Sequence, residues 1–181
     1  MTHPIELFAA DLIHKLRYEQ TPVYASGELK LSEGAYFSWD AEKSDMALRV
    51  RPELGSLFRA QAKVLRKPRW CTVNFSLGAG SLEPGAVLGV LAEVEGCEGQ
   101  TVPLFIRALQ DGALSDIPFV TPLKGSATSS VQTLLLTVTE EQALSRPSDF
   151  LTLVFNLPKE DFALTLRNLA VFVLPPQTAR P

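Results

Sequence analysis

The chain has 181 residues, of which 46% are hydrophobic and 20% are charged. This composition supports one folded domain with a sizeable apolar core and excludes a disordered chain. The formal net charge of -3 gives no electrostatic basis for binding a polyanion, so no nucleic-acid partner is expected. Because no apolar run approaches the roughly 20 residues that a spanning helix requires, no membrane span is expected either.

The first segment, residues 1–18, is predicted to hold an amphipathic helix from Pro4 to Arg17. Its apolar residues recur at the spacing of one helical face, and they are Ile5, Phe8, Ala9, Leu12, Ile13 and Leu16. Pro4 suits the first helical position, and Glu6 and Lys15 suit the two ends of the helix dipole. Two uses stay open: the helix covers an open end or edge of the fold, or it contacts a protein partner or a second subunit in a homo-oligomer.

The same segment argues against a secretory leader. Glu6 and Asp11 interrupt the only hydrophobic stretch before residue 20, whereas a signal peptide needs a continuous apolar region after a basic start. We therefore expect a soluble protein that stays in the cytoplasm.

After Tyr18 the hydrophobic period changes from 3.6 to 2, which predicts β-strands. The ten candidate strands are Val23–Leu31, Ala35–Trp39, Met46–Val50, Phe58–Val64, Trp70–Leu77, Val87–Val94, Val102–Leu109, Val131–Val138, Phe150–Leu157 and Phe162–Leu174. Their number and spacing are typical of an all-β, two-sheet antiparallel sandwich of jelly-roll type. The sandwich domain is predicted over residues 19–175, with a tail at 176–181.

Segments rich in glycine, proline, serine and aspartate separate these strands and are predicted to be loops. They are Ser81–Gly85, Glu95–Gly99, Asp111–Asp116 and Pro122–Ser130. One helical turn fits Glu140–Ser145. In the last strand the large apolar residues change from even to odd positions near Asn168, which a β-bulge explains most simply.

Catalytic and metal-binding signatures are missing from the sequence. The two histidines, His3 and His14, both fall in the N-terminal segment, away from any nucleophile or group of metal ligands. Cys71 and Cys97 do not form a zinc motif; we favour two free thiols and leave a disulfide open. We expect no metal, no cofactor and no enzymatic activity, although carboxylates brought together by folding leave a hydrolase or an enzyme's accessory domain open.

One strand face is a candidate binding surface. If Cys71, Val73, Phe75 and Leu77 face the core, then Trp70 and Asn74 point outward together, and Arg107 is predicted on a neighbouring strand of that face. A flat aromatic ring beside hydrogen-bonding side chains suits a sugar, which has an apolar ring face and a rim of hydroxyls. Trp39 and Arg49 are weaker candidates for the same site. The alternative for Trp70 is that it packs at the edge of the sandwich.

The strand series also resembles a known family. The segments Trp70–Leu77, Val87–Val94, Val102–Leu109, Phe150–Pro158 and Phe162–Leu169 are similar in order and hydrophobic pattern to the strands of galactose-binding-like jelly rolls, which include many carbohydrate-binding modules. The resemblance covers roughly residues 55–175 and implies a sandwich fold with a glycan ligand. Two functions are thus carried forward: a non-enzymatic glycan-binding protein, and a structural or assembly protein using the sandwich and the helix.

Overall fold

The computed structural model describes residues 2–19 and 22–177. One α-helix, α1 (Pro4–Tyr18), precedes twelve β-strands, and a short 3-10 helix covers Ala143–Ser145. The strands are β1 (Val23–Ala25), β2 (Glu28–Ser32), β3 (Ala35–Trp39), β4 (Asp45–Arg51), β5 (Phe58–Arg66), β6 (Cys71–Gly80), β7 (Val87–Val102), β8 (Leu104–Gln110), β9 (Ala113–Pro118), β10 (Leu123–Thr137), β11 (Ser148–Asn156) and β12 (Phe162–Leu174). Of the predicted tail, residues 178–181 lie outside the described ranges, and its boundary stays a prediction.

The strands form two antiparallel sheets. A seven-stranded sheet has the order β1-β2-β3-β6-β11-β8-β9, and a five-stranded sheet has the order β10-β7-β12-β5-β4. The predicted all-β sandwich with one N-terminal helix is confirmed.

The core lies between the two sheets and follows the two-residue alternation of the strands. On β6, Cys71, Val73, Phe75 and Leu77 are all buried in it. Two edge-to-face aromatic pairs pack in the core. Phe37 of β3 and Phe58 of β5 connect the two sheets, with 5.2 Å between their ring centroids, and Phe75 and Phe155 connect the neighbouring strands β6 and β11, with 5.3 Å. Such pairs add stabilisation beyond the apolar area that they bury.

Helix α1 covers an open edge of the sandwich. On β12, strand β5 pairs with Phe162–Leu166. Among the described residues no strand pairs with the rest of β12 on that side, and the helix packs there against β12 and β6. Its apolar stripe enters the core through Ile5, Ala9, Leu12 and Leu16. The edge-covering interpretation of the helix is therefore confirmed.

Glu6 joins the start of the helix to the sheet that it covers. Its Oε2 accepts the His3 backbone N–H at 2.7 Å and completes a capping box, while its Oε1 accepts the Val173 N–H at 2.9 Å. One carboxylate thus satisfies a helix-end donor and a sheet-edge donor, both of which are costly to leave unpaired when buried.

One predicted loop is wrong and two others are partly wrong. Glu95–Gly99 lies inside β7, because positive φ angles at Gly96, Cys97 and Gly99 let the strand continue through an irregular section. Only Asp111 and Gly112 form the turn before β9, where both have positive φ as a tight hairpin requires. Most of Pro122–Ser130 belongs to β10, whose pairing with β7 shifts register twice in that region.

The predicted bulge near Asn168 is confirmed. Leu166 pairs with Val94 and Asn168 with the adjacent Glu93, so Arg167 is the extra residue in β12. Both cysteines are buried and free, as favoured from the sequence. Burial raises the pKa of Cys71 to about 12 and that of Cys97 to about 11. No helix in the described ranges is long and apolar enough to cross a membrane.

Candidate ligand-binding groove

The outer face of the seven-stranded sheet carries a continuous row of side chains across four strands. Strand pairing places Tyr36 beside Asn74, Asn74 beside Val154, and Val154 beside Phe105. Adjacent rows hold Ser38 with Thr72 on one side and Thr152 with Arg107 on the other. Because neighbouring strands are about 5 Å apart, these rows form one surface.

A groove of 410 Å³ lies over this surface, a volume within the usual range of ligand sites. Its lining combines aromatic, amide, hydroxyl and cationic side chains: Tyr36, Ser38, Arg69, Trp70, Thr72, Asn74, Phe105, Arg107, Asn156 and Lys159. The structure therefore brings Trp70, Asn74 and Arg107 together, as the alternation of the two strands indicated.

At one end of the groove Trp70 is fixed by a stacked arginine. The Arg69 guanidinium carbon lies 4.9 Å from the indole centroid, while 40% of the Trp70 surface stays exposed. Arg69 is in turn held by Asp40: Arg69 Nε donates to Oδ2 at 2.6 Å and Nη2 donates to Oδ1 at 3.3 Å. The carboxylate also accepts the backbone N–H groups of Lys43 and Arg69.

Asp40 is the least exposed charged group near the groove, with 1% of its side chain accessible. The hydrogen bond from Arg69 is the main reason that the pKa of Asp40 lies below its ordinary value, and the backbone donors lower it further. A carboxylate with this many donors has a single favoured position. Asp40 is therefore well placed to set the position of Arg69 and, through it, the orientation of Trp70.

At the other end Arg107 lies over Phe105, with 5.3 Å from its guanidinium carbon to the ring centroid. Asp116, on β9, accepts Nε of Arg107 at 2.7 Å and Nη2 at 2.8 Å. Both ends of the groove thus have the same construction, an arginine stacked on an aromatic ring and oriented by a carboxylate.

The floor between the two ends is polar at Asn74 and apolar at Val154. Asn74 is 4% exposed, and its Nδ2 donates to the Tyr36 carbonyl at 3.3 Å and to Thr72 Oγ1 at 3.0 Å. Val154 is fully buried, although it stands apart from the core cluster, on the outer side of the sheet. Burial, with a contribution from Glu28, raises the pKa of Tyr36, so its phenol stays protonated at neutral pH and can donate a hydrogen bond.

Trp39 and Arg49 are not part of this groove, and their inclusion among the site candidates is not supported by their positions. Trp39 pairs with Cys71 across the strands and packs against the core instead of facing outward. Arg49 lies on β4 of the five-stranded sheet.

Several groove residues escaped the sequence-based selection. Tyr36 and Ser38 alternate with the core residues Ala35 and Phe37 in a correctly bounded strand, so the rule applied to β6 would have found them. Phe105 alternates with the core residues Leu104 and Ile106 on β8, so the same rule applies to it. Lys159 follows the end of β11 in a loop, where no periodicity indicates direction.

Comparisons with known proteins bear on the fold alone. No protein-family model matches the chain, and no curated protein matches its sequence. Among solved structures it is similar to the enzymatically active domain of tailspike protein 4 from bacteriophage CBA120 (13% identity, TM-score 0.51), matching 78% of this chain but only 19% of that one. It is also similar to a cyclase from Fischerella sp. TAU (10% identity, TM-score 0.50, 80% and 86% covered).

Carbohydrate-binding modules also stand among the structural neighbours. One is the CBM22-1 xylan-binding domain of Paenibacillus barcinonensis Xyn10C, at 10% identity and a TM-score of 0.49, covering 77% of this chain and 86% of that one. Similarities at these identities show the sandwich fold and transfer no ligand.

Proposed function

We propose that this protein binds a carbohydrate in the groove on its seven-stranded sheet and does so without catalysing a reaction. The observation that carries the proposal is the meeting of Trp70, Asn74 and Arg107 in one groove, with Tyr36 and Phe105 beside them. Aromatic faces suit the apolar faces of sugar rings, and the amide, hydroxyl and guanidinium groups suit their hydroxyls.

The rigidity of the groove supports the same proposal. Trp70 and Phe105 each have an arginine stacked on the ring, and each arginine is held by a carboxylate through two nitrogens. Side chains held in position before a ligand arrives lose less conformational entropy when it binds.

The chemistry of the lining favours binding over hydrolysis. No carboxylate and no histidine belongs to the groove lining within the described part of the chain. Glycosidases generally place two carboxyl groups on either side of the bond that they cleave, and the two carboxylates that contact lining residues by ion pairs, Asp40 and Asp116, are each engaged with an arginine. Incubating the protein with the glycans that it binds should release no new reducing ends, and any release above a heat-inactivated control would contradict this part of the proposal.

Binding is tested by calorimetry against a panel of neutral and acidic oligosaccharides, with Trp70→Ala as the groove variant. Removal of a central aromatic contact should weaken binding about thirtyfold. Trp39→Phe is the matched control, because Trp39 packs against the core; its affinity should equal that of the wild type even if its melting temperature falls. The proposal fails if no oligosaccharide binds, or if Trp70→Ala binds as tightly as wild type.

The second candidate is assembly through protein contacts. The observation that favours it is a set of exposed apolar side chains on the outer face of the five-stranded sheet, where Val131 and Leu135 of β10 and Leu174 of β12 are all about half exposed or more. On the helix, Leu7 is similarly exposed. Exposed apolar patches often mark interaction surfaces.

Deleting the helix would not test assembly, since four of its residues belong to the core. Light scattering on the full chain and on Leu135→Ser and Leu7→Ser variants is the sharper experiment. An oligomer that dissociates in either variant, with circular dichroism unchanged, would support assembly, whereas a monomeric wild type would exclude a homo-oligomer.

A further inference from the structure

The groove lining is cationic although the chain as a whole is acidic. The formal net charge of the protein is -3, yet Arg69, Arg107 and Lys159 all line the groove and none of the described lining residues is an aspartate or glutamate. Asp40 and Asp116 contact the two arginines from outside the lining, and Asp40 is almost wholly shielded from solvent. The side chains that line the groove are thus neutral or positive, and the partly exposed carboxylate of Asp116 lies beside the lining at the Arg107 end.

Both arginines keep one nitrogen unengaged. Asp40 takes Nε and Nη2 of Arg69, and Asp116 takes Nε and Nη2 of Arg107. Within residues 2–19 and 22–177, Nη1 of each arginine has no hydrogen-bond partner, and Lys159 Nζ has neither a hydrogen bond nor an ion pair. Three cationic donors are therefore available at the same groove.

We propose that the ligand is an anionic glycan, one whose sugars carry carboxylate or sulfate groups, and this rests on the glycan-binding function proposed above. A neutral sugar would displace water from these three donors and replace it with hydroxyl oxygens, which carry no charge. A carboxylate or sulfate accepts hydrogen bonds from the same donors and adds the attraction between opposite charges, which a hydroxyl oxygen does not provide. The unpaired charge of Lys159, together with the two unengaged Nη1 groups of Arg69 and Arg107, thus favours an acidic sugar over a neutral sugar of the same shape.

The probes are oligogalacturonate, the same oligosaccharide after its carboxyl groups have been reduced, and a sulfated dextran oligosaccharide. Oligogalacturonate should bind at least about tenfold more tightly than its reduced form, the effect of one charge-assisted contact. That advantage should shrink as NaCl rises from about 0.05 to about 0.5 M, because salt screens solvent-accessible charges.

The variant is Lys159→Gln, which removes the unpaired charge at an exposed position where folding should not be affected. Its affinity for oligogalacturonate should fall about fivefold, and its affinity for the reduced form should not change. Lys124→Gln is the matched control, since Lys124 is also exposed but lies on β10 of the other sheet. It should bind both probes as wild type does.

The outcomes separate the two proposals. Equal affinity for the acidic and reduced forms overturns the anionic preference and leaves the glycan-binding function standing, while no binding of any saccharide overturns both. Tighter binding of the sulfated probe than of the uronate supports the anionic preference and identifies sulfate as the source. Single-stranded DNA competing for the groove more tightly than every saccharide overturns both, since cationic, aromatic grooves also suit nucleic acid.

Discussion

The two ends of the groove share a construction and differ in how firmly it is held. At the first, Arg69 lies over Trp70 and its partner Asp40 is 1% exposed. At the second, Arg107 lies over Phe105 and its partner Asp116 is 45% exposed. The shorter hydrogen bond is similar at both ends, 2.6 Å at Asp40 and 2.7 Å at Asp116, and the second is longer at Asp40, 3.3 Å against 2.8 Å. The feature that favours the first end is the exclusion of water from its carboxylate.

The difference in exposure between Asp40 and Asp116 indicates that the two ends of the groove are held with different firmness. Asp40 is shielded from water and also accepts two backbone N–H groups, so the support for Arg69 and Trp70 is firmer at this end. Asp116 lies on the edge strand β9, where water competes for the carboxylate and exposed ion pairs contribute little stability. The Arg107 end is therefore held less firmly than the Trp70 end, and it loses less when its ion pair is removed.

Replacing each carboxylate by an amide, one at a time, tests whether the two ends are held differently. These two substitutions have the largest expected effect on affinity. Asp40→Asn should weaken glycan binding about tenfold, because Arg69 loses its charged partner and no longer holds Trp70. Asp116→Asn should weaken it only about twofold. Calorimetry gives both affinities, and circular dichroism checks that each variant is folded. Equal losses would show that the two ends are held alike.

A pH titration sharpens the comparison at the Trp70 end. Because the pKa of Asp40 is lowered, its contribution is fully present above the ordinary value of 3.8 and is lost as pH falls through the lower, folded-state pKa. In a Trp39→Phe background Trp70 is the only tryptophan. Its fluorescence should stay constant from neutral pH to about 4 and change only below that.

The control for this titration is Asp40→Asn in the same background. That variant has no carboxyl to protonate at residue 40, so the change in emission on acidification should be absent while the protein remains folded. A transition of the same size and midpoint in both proteins would mean that Asp40 does not control the environment of Trp70.

The smallest expected effect comes from Arg49→Gln. Arg49 was a site candidate from the sequence, but it is on the sheet opposite the groove. The affinity of the Arg49→Gln variant for any glycan should stay within about twofold of wild type, because an exposed charge far from the groove has only a small effect on binding. A larger loss would mean that the binding surface extends to the five-stranded sheet.

The sequence by itself determined the features that rest on local periodicity. The alternation in β6 separated Val73 and Phe75 from Asn74, the helical spacing of Ile5 to Leu16 predicted α1, and the parity change near Asn168 predicted the bulge. These patterns are readable because side-chain direction repeats every 2 residues in a strand and every 3.6 in a helix.

The tertiary structure alone decided what each outward residue meets. Asp40 and Arg69 are 29 residues apart, and Asp116 stands on β9, a strand that its short Asp-Gly turn and polar sequence concealed. Ion pairs and stacking depend on distances between strands that are remote along the chain. The order of strands in the sheet decides which of them lie side by side, and this order cannot be read from the periodicity of each strand alone.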